Sequence, residues 1–151
     1  MEARMKNPVM VLDAMKPIQG LYKAAYQSGL APELLELVHL RASQINGCAA
    51  CVDSGGRNLR KAGTSDERMW SVVAWREAPY FTDAERAALA LAEAVTRLAD
   101  RPDAVPDELW DEVADHFDEK QLSGLILWIS MTNFFNRLNT TVREPAGATW
   151  S

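Results

Sequence analysis

Between Asp118 and Asn139 the chain reads DEKQLSGLILWISMTNFFNRLN without a proline, and this stretch constrains the fold more than any other. It is too long for a strand, which spans about 5–6 residues on average. Its most apolar run, LSGLILWISM at 122–131, reaches about half of the roughly 20 residues that a membrane span requires. The stretch therefore predicts a long helix buried in a packed core.

The rest of the chain is punctuated in the same way. Residues 8–27 carry apolar positions at helical intervals, with Gly29 as a stop. Pro32 suits a first helical turn and opens a helix to about Gln44; Asn46-Gly47 signals a turn. Residues 48–62 predict the next helix, ended by Gly63. TSDE (64–67) and TDAE (82–85) read as capping boxes, in which Thr and Glu satisfy free amides of a helix start. Ala88, Leu91, Ala92, Val95 and Leu98 then mark one helix face, and Pro106 opens a further helix. No hairpin signal occurs. The expected fold is all-α, one domain over residues 1–151 with six to seven helices, and EPAGATWS (144–151) as a loose tail.

A chain of 151 residues can bury a core without disulfide staples. A net charge of −5 with no basic stripe argues against a nucleic-acid partner. MEARMKNPVM at the start has no apolar signal-peptide region, so the expected location is the reducing cytoplasm. There, the two cysteines of NGCAACVDSGG (46–56) at C-x-x-C spacing suggest redox or metal chemistry more than a structural staple. Cys48 follows the turn and should occupy the first turn of its helix, with Cys51 three residues on along the same face. Helix N-termini lower thiol pKa values, so the pair is read as a working dithiol; two small buried residues is the plainer alternative. Zinc needs four ligands, and only His39 and His116 could join the cysteines, so neither a metal nor a cofactor is expected.

Residues 36–63, ELVHLRASQINGCAACVDSGGRNLRKAG, resemble the core of the AhpD-like alkylhydroperoxidases of the carboxymuconolactone decarboxylase superfamily. AWREAPYFTDAERAALALAEAVT (74–96) and NRLNTTVREP (136–145) resemble later segments of the same family. The family signature is a glutamate, eleven intervening residues, C-x-x-C, three residues and a histidine, and Glu36 stands at the required distance from Cys48. The resemblance implies a helical fold, homo-oligomers of three subunits or a multiple, a hydroperoxide substrate and a dithiol or thioredoxin-like reductant. It also implies that Cys51 attacks, Cys48 resolves and Glu36 serves the proton relay. The helix dipole alone would instead favour Cys48 as the more acidic thiol.

The family histidine is absent: its position is Gly55, and Ala50 fills the site between the cysteines that is often His or aromatic. Losing such a base could cost a factor of roughly 10² to 10⁴ in proton transfer. His39 lies one turn after Glu36 and could supply an imidazole from the other side, although a half-exposed surface histidine is the favoured reading. Ser54 is a poor base, and Asp53, Arg57 and Arg60 read as a solvated face. Gly55-Gly56 costs about 2 kcal/mol in a helix; room for a neighbour, a helix break and drift after loss of the base all remain open. Trp128, Phe134 and Phe135 could line a pocket, but core or interface packing is favoured, as it is for Trp70 and Trp75. Arg137 is a candidate inter-subunit ion pair or plain solvated charge. The functional expectation is a thiol-dependent hydroperoxide reductase or dithiol–disulfide oxidoreductase, with a non-catalytic scaffold or a carboxymuconolactone-type decarboxylase as alternatives.

Overall fold

The computed structural model describes residues 2–99 and 101–148. These contain no strand and eight α-helices: α1 Pro8–Val11, α2 Met15–Tyr26, α3 Pro32–Asn46, α4 Ala49–Lys61, α5 Asp66–Ser71, α6 Asp83–Thr96, α7 Asp107–Ala114 and α8 Glu119–Val142. A 3-10 turn, Val72–Ala74, follows α5. The all-α expectation holds, and so does the long final helix, which Asp118 and Gln121 open with a capping box. The count exceeds the expected six to seven because residues 8–27 form two helices. Asp13 adopts φ 51°, a left-handed conformation that breaks the run between α1 and α2.

The cap of α5 also shifts. Ser65, not Thr64, caps it by accepting from the Arg68 amide, whereas the Thr64 hydroxyl donates to Glu33 Oε1 at 2.7 Å. Two adjacent hydroxyls can each serve as a cap, and here a contact to α3 decides between them. The TDAE box forms as expected, with Thr82 and Glu85 satisfying each other's backbone amides.

Helix α3 is the hub. It packs against α4, α6 and α8, and its side chains feed two apolar clusters. Leu34, Leu35 and Val38 join Leu91, Val113, Leu125, Trp128 and Ile129, while Leu37 and Leu40 join Leu59, Met69, Val72, Trp75 and Leu89. A helix used on all sides cannot be amphipathic in the ordinary way. Trp128 reaches across from α8 and donates through Nε1 to the Leu35 carbonyl at 2.6 Å. It is core, as is Trp75, whereas Trp70 is 65% exposed and so is not core; of its two expected roles only the interface one is left to it.

Buried Glu93 of α6 ties three elements together. It accepts from Arg41 of α3 and Arg76 at 2.7 Å each, from the Trp75 indole at 3.0 Å and from Arg97 at 3.3 Å. Burial alone would raise its pKa, but the hydrogen bonds from Arg76, Trp75 and Arg41 outweigh that and hold it at about 2.

Candidate functional site

The site begins where α3 ends. Gly47 closes that helix at φ 65°, a left-handed position that glycine takes without steric penalty. The turn is clamped from α8: Asn46 Nδ2 donates to Asn133 Oδ1 at 2.9 Å and to Asn136 Oδ1 at 2.8 Å. Asn136 in turn donates to Ser43 Oγ at 3.0 Å. These contacts fix the approach to Cys48, which is the N-cap of α4 and not a first-turn residue. Its Sγ accepts from the Cys51 amide at 3.3 Å.

Cys48 and Cys51 are joined as a disulfide, and both are almost fully buried. Cys51 forms part of the wall of a cavity of about 280 Å³, near the small end of ligand pockets. Met15, Tyr22, Ala50 and Phe135 supply most of its apolar surface, and His39, Ser54 and Asn139 its polar groups. Phe135, for which packing was the favoured reading, is buried and also lines the cavity, while Phe134 is 45% exposed. The stretch 144–148, expected to be loose, is tied down: Glu144 N–H donates to the Asn139 carbonyl, Gly147 N–H donates to Asp53, and Ala148 reaches the cavity. The expectation for residues 149–151 lies outside the described residues. Asp53 also pairs with Arg57 at 2.9 Å and Arg60 with Asp66 at 3.0 Å, so the solvated face is an ion-paired one.

His39 is not a surface histidine. It sits between α3, α4 and α8, with Nε2 3.2 Å from the Cys51 carbonyl and Nδ1 3.3 Å from Thr132 Oγ1. A carbonyl only accepts, so Nε2 carries the hydrogen and the neutral ring accepts at Nδ1 from the hydroxyl. Burial lowers the imidazole's pKa, and the bond to the Cys51 carbonyl pulls weakly the other way. Ser54 Oγ donates to the same carbonyl at 3.1 Å. Gly55 explains the fit, because a Cβ there would lie 2.9 Å from His39 Cδ2. Of the three readings of that glycine, the close approach of a neighbouring helix is the one observed. α4 is not broken at Gly55-Gly56.

Glu36, one turn before His39, is 8% exposed, and its Oε2 has no hydrogen-bond partner among the described residues. Burial raises its pKa to about 7, with the Asn58 amide pulling the other way. Tyr22 and Tyr26 lie near enough to sense its charge, and burial followed by that charge raises both phenols. A carboxyl half-titrated near neutrality is suited to moving protons. Among the described residues no group of three or more His, Cys, Asp or Glu could hold a metal, and His116 lies on the surface beside Phe117. Arg137 donates to the Asn133 carbonyl at 3.0 Å. Asn139 and Asn7 escaped the sequence reading, although Asn133, Asn136 and Asn139 recur every three residues along one helix.

A buried C-x-x-C disulfide at the start of one helix, with a buried glutamate on the helix before it, defines a helical dithiol domain. The carboxymuconolactone decarboxylase family profile matches residues 13–94. The chain is 35% identical over 136 residues to the uncharacterized protein YdfG of Bacillus subtilis, covering 90% of this chain and 91% of that one. It is 34% identical over 120 residues to the uncharacterized protein YnjA of Escherichia coli, covering 80% of this chain and 64% of that protein. A solved structure from Agrobacterium tumefaciens, a protein of unknown function whose description suggests the antioxidant-defence protein AhpD, superposes with a TM-score of 0.88. That match has 31% identity and covers 98% of this chain and 100% of the other. The chain belongs to the carboxymuconolactone decarboxylase family, on its AhpD-like side.

Two predictions follow from the packing and charge here. Gly55→Ala, which gains helix propensity but presses on a ring held at both nitrogens, is expected to lose about 1 kcal/mol of stability by chemical denaturation. His39→Ala made in that background should cost less than it does in the parent chain. Glu36 sets a pH dependence: the folded state holds its proton up to about pH 7 and the unfolded chain releases it near 4.5. Stability is therefore full below 4.5 and falls by about 3 kcal/mol as pH rises through 7. Glu93 titrates below that window, and His39, held below its usual range, adds stability as pH rises toward 6.5, so Glu36→Gln should abolish the fall in urea midpoints measured between about pH 5 and 7.5.

Proposed function

We propose that this protein is a dithiol oxidoreductase that reduces hydroperoxides. The observation that carries the reading is that Cys51, bonded to Cys48, stands in the wall of a small, largely apolar cavity. The Cys51 thiolate attacks one peroxide oxygen, the O–O bond breaks, and the alcohol leaves with a proton. Cys51 is then a sulfenic acid. The Cys48 thiolate attacks that sulfur, its hydroxyl leaves as water, and the disulfide forms. A partner dithiol, thioredoxin-like in kind, returns the two electrons by exchange.

In this reading Glu36 is the proton acceptor, because its buried carboxyl titrates near neutrality. His39 stands against the position the family gives to its α4 histidine, and it holds the Cys51 carbonyl. It moves a proton only after one of its two ring contacts opens. The family reading also carries assembly into a homo-oligomer, three subunits or a multiple, and work in a reducing compartment. Exposed Trp70 and Val73 are consistent with subunit contacts. No helix among the described residues is long and apolar enough to cross a membrane.

The test is a count of free thiols in denaturant, before and after a small excess of cumene hydroperoxide. A fall from two to none, reversed by dithiothreitol, is expected, and the remaining thiol of Cys51→Ser should survive the same treatment. Survival of both thiols would overturn the proposal; turnover of a carboxymuconolactone by the same sample would point to the decarboxylase instead.

A further inference from the structure

We propose that Asn139 is a catalytic residue of this site, the donor that holds the Cys51 thiolate, and that Asn7 is the positioning residue that aims it. This deepens the dithiol reading and rests on it. Asn139 Nδ2 lies 3.3 Å from Cys51 Sγ, and Asn139 Oδ1 accepts from Asn7 Nδ2 at 2.8 Å. Both asparagines are buried, 7% and 4% exposed.

The orientation of each amide follows from the backbone. The Val9 amide donates to Asn7 Oδ1 at 3.1 Å, so that oxygen is committed to capping α1. Asn7 must then present Nδ2 to Asn139, where it also approaches Glu144 Oε2 at 3.4 Å. Asn139 Oδ1 is committed in its turn, and only its Nδ2 is left to face the sulfur. A backbone N–H on α1 thereby sets a donor at the reacting atom. The N-terminal segment is pinned for this purpose: Arg4 N–H donates to the Val142 carbonyl at 2.8 Å, and its guanidinium to Thr141 O at 3.0 Å.

A disulfide sulfur accepts hydrogen bonds weakly, while a thiolate is a charged acceptor in a buried site. Charge-assisted bonds are about twice as strong as neutral ones, so the donor favours the ionised sulfur over the neutral one. Every other group near Cys51 leaves this role open. Tyr22 from α2 shares the cavity wall but makes no hydrogen bond to the sulfur, His39 from α3 is turned to the Cys51 carbonyl, Cys48 caps the same helix, and Ser54 donates to that carbonyl. The charged Asp53–Arg57 pair on α4 is closed on itself, and Glu144 reaches no nearer than Asn7.

The experiment uses Cys48→Ser protein, in which Cys51 is the sole thiol, and follows its alkylation by iodoacetamide against pH. In that background Asn139→Ala should raise the Cys51 pKa by about one unit, leaving about tenfold less thiolate at neutral pH. Asn7→Ser still caps α1 but cannot reach Asn139. It should move the pKa the same way by a few-fold in thiolate while touching no atom of the cavity. An unchanged alkylation profile in either folded variant would overturn the proposal and leave the asparagines as packing. Should Asn139→Ala not fold, Asn7→Ser alone decides. No peroxide enters the assay, so a chain inert to hydroperoxides could still pass, and an active one could still fail.

Discussion

Because α3 packs against α4, α6 and α8 at once, the polar side chains on its buried faces must find partners inside the protein or go without. Arg41 finds Glu93, Ser43 finds Asn136, and His39 finds the Cys51 carbonyl and Thr132. Glu36 leaves one oxygen unpartnered. An unsatisfied buried carboxyl on the most enclosed helix of the molecule is an arrangement stability alone would not favour. It suits the proton relay proposed for this site.

The contrast between the two buried glutamates separates scaffold from site. Glu93 is surrounded by arginines and an indole donor and stays ionised far below neutrality. It acts as a fixed counter-charge between helices. Glu36 has lost most of its hydration without such compensation and titrates near 7. Environment alone divides the roles of two side chains of the same chemistry.

The helices were readable because their signals are local: a proline at a first turn, a glycine after a last one, a capping box before an apolar stripe. Even there, tertiary contact overruled spacing once, when Glu33 drew Thr64 away from the cap that Ser65 then took. The cysteines stood out by their own spacing, and Glu36 only through the family resemblance. The pairing of His39 with Gly55 was not, because it joins two helices through a missing side chain, and nothing in the order of residues says which ring will occupy the space. Asn7 and Asn139 lie farther apart still, 132 positions along the chain, and only the fold joins them into one chain of hydrogen bonds that ends at Cys51 Sγ. Residue type left Trp70 open between core and subunit interface, and its position on α5, whose Met69 faces the second apolar cluster, leaves the indole exposed.

The central claim is that Cys51 is the sulfur that meets the oxidant and Cys48 the one that closes the disulfide behind it. Sulfenic acid trapping addresses it directly: reduced Cys48→Ser and Cys51→Ser proteins are treated with substoichiometric cumene hydroperoxide in the presence of dimedone, and the adduct is located by peptide mass spectrometry. The account predicts a dimedone adduct on Cys51 in the first protein and none in the second. An adduct on Cys48, with Cys51 unmodified, would show that the helix terminus and not the cavity selects the attacking thiol, and would contradict it.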